Sequence, residues 1–214
     1  MQRFMLAALT ALGLVSLGLA SPAHAQRPHA VRPLSSRWVI NGHSTAALGT
    51  SVGDAGGHIN TSSGLGGGLE VGYRVTPRLL AYAGFDLAKQ AIDVAGLDGN
   101  FGLTHLEAGA RLSFPIRHSK AMPYVGVWAG RRSLSTTVDN VVTGASSDIS
   151  MSGISVGGSG GVQVFVSPKL ALDGGLSVGV GKLGNIKVDG QRQDWGTPDN
   201  TTTTRIRFGA SWHP

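Results

Sequence analysis

Four acids, Glu70, Asp86, Glu107 and Asp173, and five arginines, Arg74, Arg111, Arg132, Arg205 and Arg207, recur in stretches where polar and apolar residues alternate one for one. In an extended chain successive side chains point to opposite faces. The alternation therefore gathers these groups, together with His105, on one face. If that face is removed from water its charges must neutralise one another, because an unpaired buried charge is costly. The chemistry this set offers is ion pairing: a buried polar network that contributes specificity and satisfied burial more than net stability. The alternative is that some of the arginines sit at a wet rim.

Other chemistries are poorly supplied. No GxxxxGK[ST] or HExxH pattern occurs, so the usual phosphate cradle and zinc helix are missing. His43, His58 and His105 lie on different segments, and no spacing fixes them as a metal or base cluster; His43 and His105 read as hydrogen-bonded interior residues. With no cysteine, neither a thiolate metal site nor a disulfide framework is available. The eight remaining aspartates, Asp54, Asp93, Asp98, Asp139, Asp148, Asp189, Asp194 and Asp199, fall in Gly-, Ser- and Thr-rich connections. There they read as turn formers rather than as a cation site. Basic residues outnumber acids 18 to 12 but are scattered, which disfavours nucleic acid as a partner. No catalytic residue and no cofactor is expected, and the chain is not expected to be an enzyme.

The elements that position the charged face are extended. Glycine is abundant at 33 residues and no long amphipathic helical pattern occurs, which points to an all-β chain with many turns. Residues 1–25 form a secretory signal. Arg3 opens it, residues 4–20 are apolar, Ser21 and Pro22 break the run, and Ala23-His24-Ala25 gives a small-x-small cleavage pattern before Gln26. The run is short for a retained membrane anchor. Residues 26–36 are a loose lead, and residues 37–214 are one β-domain. Eight alternating segments are predicted, at 38–48, 65–75, 79–89, 103–114, 123–133, 151–166, 170–182 and 203–213. Thr76-Pro77-Arg78 and Ser167-Pro168-Lys169 are tight turns with proline at the corner, and 115–122 is slightly longer. The other connections, 49–64, 90–102, 134–150 and 183–202, are long and polar. Short turns at one end and long loops at the other are the pattern of an outer-membrane barrel.

The two faces sort by charge. In the fourth segment Thr104, Leu106, Ala108, Ala110, Leu112 and Phe114 oppose His105, Glu107, Gly109, Arg111 and Ser113. No acid falls on the apolar face of any segment, and the charged face carries many small residues. That suits the interior of a narrow eight-stranded antiparallel barrel. Trp38, Tyr73, Phe114 and Trp212 face outward at the short-turn end, where an aromatic girdle would meet the membrane interface. Lys89, Arg131 and Lys182 face outward near the long-loop end. They form either a belt for lipid phosphates or snorkelling rim charges without a specific partner. Tyr124, Trp128 and Phe165 fall on the inward face, so they fill the lumen unless a bulge shifts the register.

Three stretches carry a resemblance: Gly66-Gly67-Gly68-Leu69-Glu70-Val71-Gly72-Tyr73-Arg74-Val75-Thr76-Pro77-Arg78, Val164-Phe165-Val166-Ser167-Pro168-Lys169-Leu170-Ala171-Leu172-Asp173, and Arg205-Ile206-Arg207-Phe208-Gly209-Ala210-Ser211-Trp212. With the signal and the alternation, they resemble the small outer-membrane β-barrel proteins of the OmpA/OmpX-like superfamily, over nearly the whole mature chain. The resemblance implies residence in the outer membrane, insertion by the barrel-assembly machinery reading the last strand, contact with outer-membrane lipids and a monomeric barrel. No peptidoglycan-binding domain is expected. The resulting expectation is a transmembrane barrel with a plugged polar lumen, acting structurally or through a surface ligand, of unknown identity, on its long loops. Two alternatives stay open: a soluble periplasmic lipocalin-like binder, which needs an apolar interior, and a lipid-modifying barrel enzyme, which needs a histidine on the lipid face.

Overall fold

The computed structural model describes residues 36–54, 57–92, 100–139, 146–193 and 199–214. The signal and all but Ser36 of the lead lie outside the described residues. The strands are β1 (Trp38–Asp54), β2 (Gly57–Arg74), β3 (Leu79–Ile92), β4 (Asn100–Ser113), β5 (Ala121–Asp139), β6 (Ser146–Phe165), β7 (Leu170–Val188), β8 (Gln191–Gln193) and β9 (Asp199–Trp212). No helix occurs among the described residues. Each barrel strand pairs antiparallel with its neighbour in sequence, β7 pairs with β9, and β1 pairs with β9 to close the sheet. The result is an eight-stranded antiparallel barrel. The short β8 turns back and pairs antiparallel with the outer end of β7.

The two proline turns close in the same way. Val75 N donates to Leu79 O at 2.9 Å, and Thr76 Oγ1 accepts from the amides of Arg78 and Leu79. Val166 N donates to Leu170 O at 3.0 Å, with Ser167 Oγ accepting from Lys169 and Leu170. Proline fixes the corner, and the hydroxyl satisfies amides the ladder cannot reach. The third turn needs a left-handed residue, His118 (φ 63°).

The opposite end corrects the sequence reading. The connections read as long loops are largely paired strand. β1 and β2 stay in register out to Asp54 and Gly57, and β5 and β6 out to Asp139 and Ser146. Asp54, Asp139, Asp148 and Asp199 therefore belong to strands rather than loops. Toward this end polar residues occupy both faces of the strands, so apolar alternation fades while backbone pairing continues.

Side chains divide strictly by face. Leu65, Ile154 and Phe208 are 77%, 73% and 66% exposed on the outside, whereas Glu107, Arg132 and Arg205 are 2–3% exposed on the inside. An apolar exterior around a polar interior is the inverse of a soluble lipocalin-like binder, which sets that alternative aside.

Candidate functional site

The lumen is built in layers along the barrel axis. At its middle, two arginines from β9 cross to β3 and β4 on the far side. Arg205 donates from Nη1 to Asp86 Oδ2 (2.7 Å) and from Nη2 to Glu107 Oε2 (2.8 Å). Arg207 Nη2 donates to Asp86 Oδ2 (2.7 Å) and Glu107 Oε1 (2.8 Å). His105 packs into the same group, its Nδ1 2.6 Å from Arg205 Nη1 and 3.1 Å from Glu107 Oε2. His43 Nε2 lies 2.5 Å from Asp86 Oδ1.

The next layer toward the short turns centres on Arg111. It donates to Glu70 Oε2 at 2.9 Å and lies 4.0 Å from Asp173 Oδ2. Its guanidinium stacks over the rings of Tyr124 (4.3 Å) and Tyr82 (5.1 Å), which adds cation–π attraction to the ion pair. Asp173 accepts from Tyr124 Oη (2.9 Å) and Gln163 Nε2 (2.8 Å). Arg207 joins the layers, its Nη1 3.9 Å from Glu70 Oε2.

Thus Glu70, Asp86, His105, Glu107, Arg111, Asp173, Arg205 and Arg207 meet in one connected set. Two residues assigned to the same network do not pair with acids among the described residues. Arg74 reaches only His213 Nδ1, at 3.5 Å. Arg132 Nη1 donates to the Thr201 hydroxyl at 3.2 Å. Both sit on the inward face, but toward its two ends, away from the four carboxylates.

Apolar layers flank the charges. Ala88, Leu103, Leu134 and Leu183 cluster toward the outer end, and Met122, Phe165 and Ala171 toward the short turns. His213, just beyond β9, packs on Phe165 with centroids 5.3 Å apart. Burial, with the Arg74 guanidinium beside it, pushes the His213 imidazole down to about 4, so it is neutral at physiological pH.

Tyr124 and Trp128 fill the lumen. Pairing runs unbroken past them on both sides, so no bulge turns them outward. They fit because glycines face them: a methyl group at Gly157 or Gly179 would collide with the Trp128 indole, and one at Gly161 or Gly175 with the Tyr124 phenol. Trp128 Nε1 donates to Ser177 Oγ at 2.9 Å. Gln163, Tyr82 and His213 are further participants that the sequence reading did not assign. Their inward parity was the available signal.

The Asp86, His105 and Glu107 ligand atoms lie within 4.8 Å of one another, a spacing that a metal ion could span. The donor set does not fit one. Arg205 and Arg207 already bond the same carboxylate oxygens, and a dication would sit against two guanidiniums.

The outer membrane protein beta-barrel domain family matches residues 9–213. The chain belongs to this family. Among solved structures it is similar to Neisserial surface protein A (20% identity, TM-score 0.57, 84% of this chain and 98% of that one). It is also similar to OprG of Pseudomonas aeruginosa (11%, 0.53, 86% and 98%) and to Ail, the attachment invasion locus protein of Yersinia pestis (15%, 0.51, 83% and 98%). A search of the curated proteins returns no match.

As an outer-membrane barrel, the chain carries an apolar band about 25 Å tall. At a rise of about 3.3 Å per residue and a tilt of about 40°, that band takes about ten residues of each strand. Trp38 and Tyr73 pair across β1 and β2 with rings edge to face at 5.2 Å, and Trp212 pairs with Ile40 and Leu170. These residues and the exposed Phe114 mark the short-turn edge. Lys89 and Arg131 each lie ten residues beyond the inner start of their strands, and Lys182 twelve beyond its own. All three are exposed at about one height. Arg131 and Lys182 flank Ile154 on adjacent strands, while Lys89 stands apart on β3.

Proposed function

We propose that this outer-membrane barrel is a non-conducting, non-enzymatic envelope protein, with its lumen plugged by the Arg–carboxylate set and its partner contacts made by the outward extensions of its hairpins. The observation that carries the reading is the span of Arg205 and Arg207. β9 and β4 are opposite strands of the eight, so these bonds cross the full diameter. The apolar clusters toward either end support it, since they place greasy side chains in the lumen above and below the charges. The hairpins rising past the apolar band supply surface for a ligand, as exposed connections on a rigid scaffold commonly do. Export with cleavage after Ala25, insertion through the barrel-assembly machinery, a monomeric state, a Trp38–Tyr73–Phe114–Trp212 girdle and a basic belt facing lipid belong to the same proposal.

Planar-bilayer recording tests it. Purified barrel should give no steady conductance steps, and Arg205→Ser/Arg207→Ser should open small ones. Steady conductance by the unaltered protein would overturn the plugged reading. A lipid-modifying role is disfavoured because His43, His105 and His213 all turn inward, away from lipid; an altered lipid profile on gene deletion would revive it.

A further inference from the structure

The outward face of the β6–β7–β9 wall bears a groove of about 760 Å³ near its outer end, lined in part by Ile154, Val156, Val180, Lys182 and Arg192. No acid is among its lining residues. It forms where the β6–β7 register shifts between Ser152 and Gly153. Glycine allows the strands to approach there: a methyl group at Gly153 or Gly181 would strike the opposing backbone.

Three exposed cations lie in or beside this groove. Arg131 and Lys182 are the register partners of Ile154 on its two sides. Arg192 projects from β8, which pairs antiparallel with the outer end of β7 and sets Arg192 opposite Lys187. Arg131 makes one side-chain bond among the described residues, Nη2 to Ser152 Oγ at 3.2 Å. Behind the wall lies a fourth. Arg132 is 2% exposed, and its bond partner, Thr201, is itself a lining residue of the groove. Among the described residues no carboxylate pairs with it. A wall one chain thick thus carries cations on both faces and no acid among the residues that line the groove, and their fields add in a poorly screened setting. Directly below, the groove continues onto bare apolar wall at Val156 and Val180.

We infer that this groove binds an outer-leaflet lipid bearing a phosphomonoester, its phosphate held by Arg131, Lys182 and Arg192 and an acyl chain laid over Ile154, Val156 and Val180. The inference rests on the outer-membrane reading and deepens the lipid-belt proposal by naming one site within it. A phosphomonoester carries close to two negative charges and three acceptor oxygens at neutral pH, which suits several converging donors. A zwitterionic headgroup brings its own cation and gains little there. Lys89, at the same height but without a groove or a second cation beside it, takes no part.

Native mass spectrometry of the folded barrel in detergent tests this, with folding of every variant first checked by heat-modifiable gel mobility. The probes are a diphosphorylated acylated disaccharide, the same lipid without phosphates, and inorganic phosphate. One phosphorylated lipid should be retained, and Arg131→Gln/Lys182→Gln/Arg192→Gln should weaken retention at least about tenfold. Lys182→Arg and Lys89→Gln should retain it. Equal retention of the dephosphorylated lipid, an equal loss in Lys89→Gln, or displacement by millimolar inorganic phosphate would overturn the site. A failed barrel reading would show earlier and separately, as no mobility shift before any lipid is added.

Discussion

The middle of the lumen and its two ends treat the same side chain differently. Arg205 and Arg207 each bond both Asp86 and Glu107, whereas Arg74 and Arg132 are as deeply buried and bond a histidine and a threonine. In the middle, desolvation is offset because every charge has an opposite within bonding distance. At the ends it is offset less, and those arginines are held by parity and packing. Inward position alone therefore does not make a residue part of the ion-pair set; height along the axis decides.

The largest effect is expected at the centre of the lumen. Glu107→Leu should cost about 3–5 kcal/mol in urea unfolding, because it strips both central arginines of a partner; a loss below 1 kcal/mol would mean the pairs contribute little to stability. Next is the outer wall. Leu176→Arg, near the mid-height of the apolar band, should cost about 2–4 kcal/mol in lipid vesicles, and a neutral outcome would contradict the assignment of faces. Smaller again is a pH effect at the short-turn end. The unfolded His213 protonates near 6.5 but the folded one only near 4, so below 6.5 the unfolded chain binds the extra proton. Stability should be full above pH 6.5 and fall as pH drops toward 4, and His213→Phe should flatten that slope. The smallest change is expected at the outer end, where Arg132→Met should leave stability unchanged or raise it by about 1 kcal/mol. A large loss there would show that Arg132 has an acidic partner after all.

Legibility in the sequence followed the same geography. Within the bilayer each strand has one greasy and one polar face, so period-two reading located Glu107 and Arg111 on the correct side and the four acids inside. Outside it that contrast disappears, and the outer halves of the hairpins read as loops in the sequence although they are paired strand. One local signal was available there. Asp189-Gly190 is a two-residue turn with both φ positive, 51° and 80°, the usual chemistry of a tight hairpin, and it creates β8. Parity could not separate Arg132 from Arg205, because pairing depends on how tilted strands bring distant residues to one height. Nor did alternation alone show that Trp128 and Tyr124 belong inside; the glycines facing them on β6 and β7 explain it, once register is known.

The seam where β1 meets β9 also has a consequence in time. Asn41 Nδ2 donates to Ser211 Oγ at 2.7 Å across 170 positions of chain. That contact cannot form until almost the whole polypeptide is present, so closure is a late event with a high contact order. Until then the sheet has two open edges, each a template for pairing with another chain. A nascent copy lacking β9 is a polymerisation hazard as well as an unfinished barrel, and the cell must keep it apart from its siblings until the last strand arrives.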